Sequence, residues 1–179
     1  HVRSRRQRQM CIRDRYIDGK SLRQYVNDET GAGGNLSVHE ICRIGVELCC
    51  ILEYLHGFNG NGILHMDIKP DNIMLDINGK VKLIDFDNAV AGSAGVSVDS
   101  GSPLYAAPEQ YSGEYAVTQS DVYSVGMVIL FMVSHGHIKT DKGHNLAGIP
   151  RRYSRLYHVI EKSIHHQWGL RYSLSLIHI

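Results

Sequence analysis

The 179-residue sequence has no long apolar run, few cysteines and almost no net charge. No stretch reaches the roughly 20 apolar residues needed to cross a bilayer. The longest candidate, 122–133, is interrupted by Tyr123, Ser124 and Gly126 and reads as a buried core helix. Four cysteines, Cys11, Cys42, Cys49 and Cys50, make no disulfide framework, because two are adjacent and three fall in or beside one helical pattern. A reducing, cytoplasmic setting follows. Lys plus Arg is 19 and Asp plus Glu is 18, a net charge of +1 that predicts no pull toward nucleic acid or anionic membrane. That balance is uneven, since residues 1–15 hold six arginines against one acid and residues 16–173 carry −4. With 43% hydrophobic residues the chain suits one compact domain, and disorder or a fibre is excluded.

Ser37-Val38-His39-Glu40 is a capping-box pattern, in which the Ser37 hydroxyl and the Glu40 carboxylate each satisfy a helix N–H. Ile41, Ile44, Gly45, Leu48, Ile51, Leu52 and Leu55 recur behind it at helical spacing, and His56-Gly57 supplies the stop. After a glycine-rich turn, the apolar runs Ile73-Met74-Leu75 and Val81-Lys82-Leu83-Ile84 flank Asn78-Gly79, which predicts a hairpin whose turn residues both tolerate positive φ. Residues 88–102 have neither period and are expected to form a mobile loop. Ser120-Asp121 opens the apolar helix, which runs to about Ser134, and Leu156, Val159, Ile160 and Ile164 mark a last amphipathic helix over 153–165. The expected class is α+β, mainly α, with one small hairpin.

Chemistry concentrates in residues 63–75, Ile-Leu-His-Met-Asp-Ile-Lys-Pro-Asp-Asn-Ile-Met-Leu, followed by Asp85-Phe86-Asp87. Two carboxylates, an amide and an ammonium suit phosphoryl transfer: one carboxylate orients a hydroxyl, an amide and a second carboxylate hold Mg²⁺, and the lysine offsets phosphoryl charge. This stretch resembles the His-Arg-Asp-Leu-Lys-Pro-x-Asn catalytic loop of protein kinases, with Met66 for Arg, and Asp85-Phe86-Asp87 resembles their Asp-Phe-Gly. Two further signatures follow in the family's order. Gly101-Ser102-Pro103-Leu104-Tyr105-Ala106-Ala107-Pro108-Glu109 is similar to the end of an activation segment, and Asp121-Val122-Tyr123-Ser124-Val125-Gly126 to the Asp-x-Trp-x-x-Gly helix start.

The resemblance implies a eukaryotic-like serine/threonine protein kinase of bacterial type, using ATP and Mg²⁺ on Ser or Thr hydroxyls of protein substrates. By it Asp67 is the catalytic base or orienter, Lys69 contacts the γ-phosphate, and Asn72 and Asp85 bind the metal. Ser102 stands where these enzymes carry a Thr that contacts the Asp and Lys. His65 is structural, Asp121 holds the catalytic-loop backbone, and Glu109 pairs with Arg171. Tyr16-Ile17-Asp18-Gly19-Lys20-Ser21-Leu22 resembles the hinge, which puts the Ile17 backbone at the adenine edge, Ser21 near the ribose and Met74 beneath the base.

Departures from the pattern carry expectations too. Met66 removes the arginine that reads an activation-loop phosphate, so activity is expected not to need phosphorylation of Ser93, Ser97 or Ser100. Asp87 replaces a glycine, which stiffens the loop or adds a third carboxylate near the metal. The segment between Ser134 and Tyr153 is short, which predicts a reduced substrate-docking helix. No glycine-rich strand-turn-strand and no Val-Ala-x-Lys strand is present, and Gly31-Ala32-Gly33-Gly34 falls after the hinge, in the wrong place to cover a nucleotide.

The chain therefore reads as a carboxy-terminal kinase lobe with the amino-terminal lobe missing, inactive alone and poorly soluble. Residues 1–15 and 174–179 resemble translated adapter read-through and are expected to be non-native, leaving 16–173 as the kinase part. Histidine pairs such as His135-Gly136-His137 and His165-His166 lack further ligands at zinc spacing. A pseudokinase scaffold is the alternative reading, favoured by Met66 and Asp87 and opposed by the intact set Asp67, Lys69, Asn72 and Asp85. A small-molecule kinase leaves Ala107-Pro108-Glu109 and the Asp121 helix without a reason.

Overall fold

A computed structural model describes residues 16–91, 101–112, 115–138, 146 and 149–173. Ser93, Ser97, Ser100 and Cys11, and both suspect ends, lie outside the described residues. Helix α1 (Leu22–Gly31) follows strand β1 (Gly19–Ser21), and α2 (Val38–His56) leads through a short turn into β2 (Ile63–Leu64). Strands β3 (Ile73–Asp76), β4 (Val81–Leu83) and β5 (Val90–Ala91) come next, then α3 (Thr118–Val133) and α4 (Tyr157–Ser163). The α+β, mainly helical architecture is the one expected.

Ser37 caps α2, its Oγ accepting from Glu40 N at 3.1 Å. The Glu40 carboxylate is used differently from the expectation: it accepts a hydrogen bond from the Tyr25 hydroxyl and so ties α2 to α1. The reciprocal capping box forms one helix earlier, where Ser21 Oγ accepts from Gln24 N and Ser21 N donates to Gln24 Oε1. The hairpin β3–β4 is present in the register Met74↔Lys82. Its turn corrects the expectation, since only Gly79 takes positive φ (73°), while Asp76 Oδ1 accepts from Asn78 N and Lys80 N. β1 adds to the hairpin in the order β1-β3-β4, with Ser21 opposite Met74. This hinge-side strand has no period of its own to reveal it, being three residues long.

Two other expectations are adjusted. Val90–Ala91, inside the stretch read as irregular loop, pair antiparallel with Ile63–Leu64. The last amphipathic stretch begins as a 3-10 helix over Arg151–Leu156 and becomes α-helical only at Tyr157, with Tyr153, Leu156 and Ile160 buried.

α3 is the centre of the molecule: every residue from Ser120 to Val133 is buried. Gly126 allows α4 to lie against it, because a Cβ there would stand 2.6 Å from Ser163 Cβ and 2.8 Å from Ile164 Cγ2. No helix among the described residues is long and apolar enough to cross a membrane. The main core joins α1, α2, the three-stranded sheet, α3 and α4, and a small second cluster packs Leu64 and Met66 with Val90 and Ala116.

Candidate phosphotransfer site

The loop between β2 and β3 is shaped by a buried carboxylate at the start of α3. Asp121 is fully buried and accepts from His65 N and Met66 N, both at 2.9 Å, and from His56 Nε2 at 2.8 Å. Met66 takes φ 65°, a left-handed conformation rare for a residue with a side chain, which those hydrogen bonds hold in place. Its side chain is fully buried in the second cluster, so the residue that replaces an arginine closes an apolar contact between β2 and the flanks of the activation segment.

His65 locks the loop to the next turn. Its Nε2 lies 3.1 Å from Ile84 O and its Nδ1 3.4 Å from Asp67 N, an arrangement that suits a neutral ring with the proton on Nε2. Burial pushes the imidazole below its usual range, against the opposing pull of Asp121. The same ring meets Phe86 edge-on at 4.7 Å. Ile84 N in turn donates to Asn72 O at 2.9 Å, so the residue before Asp85 is held from two sides.

Within this frame four polar side chains converge. Lys69 Nζ donates to Asp67 Oδ2 at 2.7 Å and to Ser102 Oγ at 3.0 Å, and Ser102 Oγ donates to Asp67 Oδ1 at 2.9 Å. Asn72 Nδ2 donates to Asp67 O at 2.9 Å and Asp67 Oδ2 at 3.1 Å. The catalytic loop and the end of the activation segment, 35 residues apart, are thus joined through one carboxylate.

Because the Asn72 nitrogen is committed, its amide oxygen is the atom left for a cation. Asp85 is exposed and takes φ 63°. Asp87 is exposed without positive φ, its N–H 3.4 Å from Asp85 Oδ1, so the left-handed position in this turn belongs to Asp85. One amide oxygen and one exposed carboxylate make a small, hard donor set of the kind Mg²⁺ shares with phosphate oxygens, and the residues present fit that ion. No cluster of three or more His, Cys, Asp or Glu among the described residues is placed to hold a metal.

A buried ion pair anchors the activation segment. Arg171 Nη1 and Nη2 donate to Glu109 Oε1 and Oε2 at 2.6 and 2.9 Å, and Ser120 Oγ donates to Glu109 Oε1 at 2.8 Å. Burial opposes the Glu109 charge, but the Arg171 bonds prevail and hold its carboxyl below the usual range. The remaining Arg171 donors reach the carbonyls of Gln119, His165 and His166, and its guanidinium stacks 4.8 Å from the Tyr123 ring centre.

On the nucleotide side, Ser21 and Met74 face one another across β1–β3, while Ile17 lies two residues before β1 outside regular structure. The Ser21 hydroxyl caps α1, a use that the pattern Ser21-Leu22-Arg23-Gln24 carries in the sequence. Three other residues were missed. His56, taken only as a helix stop, touches Asp121. Gln110 donates from Nε2 to Met66 O at 3.0 Å while its Oε1 accepts from Ala107 N. Arg23 pairs with Asp71. Spacing carries no signal for them, because each partner is distant in the chain or at an unrelated phase.

The helical part thus gathers Asp67, Lys69, Asn72 and Ser102 in one hydrogen-bonded cluster beside the β3–β4 hairpin and the exposed carboxylate of Asp85. Comparison with protein families matches residues 3–174 to the protein kinase domain. The chain belongs to the protein kinase family. It is similar to a probable serine/threonine-protein kinase PknB of Lactococcus lactis (35% identity over 130 residues, 70% of this chain and 20% of that protein). It is also similar to the serine/threonine-protein kinase PrkC of Bacillus subtilis (34% over 130 residues, 70% and 19%). A yeast MAP kinase kinase, MKK1/SSP32, is 40% identical over 119 residues, covering 64% of this chain and 22% of that protein. The chain spans about a fifth of the length of these curated relatives.

Proposed function

We propose that this chain is the large lobe of an ATP- and Mg²⁺-dependent serine/threonine protein kinase, and that with a small lobe it transfers the γ-phosphate to Ser or Thr hydroxyls of proteins. The observation that carries the reading is the closed set Asp67–Lys69–Ser102, in which one nearly buried carboxylate is held by an ammonium and a hydroxyl. In this reading Asp67 Oδ1 orients the incoming hydroxyl and accepts its proton, and the Lys69 ammonium offsets phosphoryl charge. Asn72 and Asp85 would hold Mg²⁺, which when bound would supply positive charge to offset that of the phosphates. Ile17, Ser21 and Met74 border the adenosine.

In this proposal residues 16–173 form the kinase part and residues 1–15 and 174–179 are extraneous, although the family match itself runs over residues 3–174. Cys42, Cys49 and Cys50 are free thiols, in keeping with a reducing cytoplasmic setting. The apolar burial of Met66 supports independence from activation-loop phosphorylation, since no cation at that position awaits a phosphate. Replacing Ser93, Ser97 and Ser100 together by Ala is expected to leave activity within about twofold, and a large loss refutes that independence.

The decisive test of the whole reading is Asp67→Asn in the protein carrying both lobes. Phosphotransfer to a protein substrate is expected to fall by at least ~10²-fold, with nucleotide binding retained. Unchanged transfer removes Asp67 from its role. Nucleotide binding without any transfer by the unaltered two-lobed protein favours the pseudokinase scaffold, to which exposed Asp87 beside Asp85 then becomes relevant.

A further inference from the structure

Asp67 and Ser102 act together only if two segments 35 residues apart in the chain keep a fixed register. The bonds that join Asp67, Lys69 and Ser102 belong to the reacting set, so they change partners when a substrate hydroxyl takes Asp67 Oδ1. A register that survives this exchange has to rest on a contact outside the chemistry.

Gln110, at the end of the activation segment, makes such a contact. Its side chain is buried. Oε1 accepts from Ala107 N at 2.9 Å, which closes the Pro108–Gln110 turn and fixes the direction of the carboxamide. Nε2 donates to Met66 O at 3.0 Å, 44 residues away in the chain. Met66 immediately precedes Asp67 and carries the left-handed φ of 65°. Its N–H is bound by Asp121 Oδ1 and its C=O by Gln110, so the strained residue is gripped on both sides.

The same amide meets the residue before Ser102. Gly101 takes φ 128°, and a Cβ there would stand 2.9 Å from Gln110 Nε2 and 3.4 Å from Met66 O. Glycine lets the backbone lie this close. Tyr111 Oη then donates to Gly101 O at 3.0 Å, from the position next to Gln110. One buried carboxamide therefore touches both the residue preceding Asp67 and the residue preceding Ser102.

We propose that Gln110 is a positioning residue for phosphotransfer, fastening the end of the activation segment to the Met66 carbonyl so that Asp67 and Ser102 stay in register through the reaction. The inference rests on the kinase reading above for the reaction it serves. Gln110 touches no reacting atom in this account. A neutral amide makes its bond without modification, which gives the proposed independence from activation-loop phosphorylation a physical means.

Two variants of the two-lobed protein test it, with transfer from ATP to dephosphorylated casein as the readout. Gln110→Leu loses both bonds and is expected to lower kcat by about 10- to 100-fold, with KM for ATP moved less than about twofold. Gln110→Glu keeps the size and the acceptor for Ala107 N, but its carboxyl donates to Met66 O only while protonated. Buried against a carbonyl oxygen, that carboxyl is expected to titrate above the usual value of about 4.3. The ratio of variant to parent kcat is therefore expected to fall about tenfold between about pH 5.5 and 8.5. The ratio removes the titration of His65, Asp67 and Glu109, which both proteins share.

That pH profile decides the matter even if Gln110→Leu does not fold. A ratio flat with pH gives the amide a packing role alone and overturns the proposal. So does a Gln110→Leu protein with unchanged kcat, or one whose loss falls on KM for ATP. Hydrogen exchange of the 179-residue chain, kept below micromolar concentration, separates this inference from the kinase reading. In Gln110→Leu, residues 64–69 and 101–107 are expected to exchange about fivefold faster together, with 122–133 unchanged. Loosening of 101–107 alone overturns the coupling. Joint loosening, in a protein whose unaltered two-lobed form transfers no phosphate, would sink the kinase reading and leave the Gln110 joint standing.

Discussion

At the scale of single residues, the site depends on buried polar groups that protein atoms hold in place. Asp121 accepts two backbone N–H bonds and one from His56 while fully buried. Asp121→Ala leaves those donors unmatched and is expected to cost about 3–5 kcal/mol, measured by denaturant unfolding, with the Met66 φ lost first. His65 gives the pH dependence. Its folded-state pKa lies below the usual 6.5 through burial, so the unfolded chain binds the proton more readily. The resulting stability is fully present above about pH 6.5 and is lost as pH falls below it. His135, also lowered by burial, adds to the same fall. Glu109 and Asp71, both depressed, add a further loss only as pH drops through the carboxylate range. Replacing His65 by Asn is expected to flatten the fall of unfolding free energy that sets in below about pH 6.5. An unchanged slope assigns that fall to other groups.

At the scale of elements, close approach decides what the helices tolerate. Gly126→Ala gains helix propensity of about 1 kcal/mol, but its Cβ would sit 2.6 Å from Ser163 Cβ and 2.8 Å from Ile164 Cγ2. Overpacking of that kind costs about 1–3 kcal/mol, so net destabilisation is expected in thermal unfolding, partly relieved by adding Ser163→Gly. The Glu109–Arg171 pair is the other element-level joint. Removing either partner strands a buried charge, at about 3–5 kcal/mol, and Arg171→Lys does not restore the two-pronged geometry. Limited proteolysis should then cut the activation segment earlier than in the unaltered chain. The elements themselves were unequally legible. α2 and α3 announce themselves by a cap and an apolar run. The strands β1, β2 and β5 are two or three residues long and owe their existence to partners 26 to 57 residues away, which no local period reveals.

At the scale of the whole molecule, the lobe leaves apolar side chains in water. Tyr16 is 86% and Ile77 74% exposed, and Phe86 and Leu104 are more than a third exposed. The 179-residue chain alone is expected to self-associate in gel filtration at micromolar concentration and to transfer no phosphate. A small lobe supplied in cis is expected to correct both, and a monodisperse, active chain refutes the two-lobed account.

The sequence by itself determined the family, because four motifs in fixed order carry the chemistry of phosphoryl transfer in residue types and local spacing. It also determined the long helices, α2 by a cap followed by apolar residues at helical spacing and α3 by a nearly continuous apolar run. Only the tertiary structure decided that Met66 fills an apolar cluster, that Glu40 bonds Tyr25 instead of completing its cap, that His56 reaches Asp121, and that Asp71 already holds Arg23. Each of these is a pairing between residues whose separation along the chain carries no period. A polar or apolar side chain takes its partner from what the fold brings within a few ångströms, and that choice is made in space.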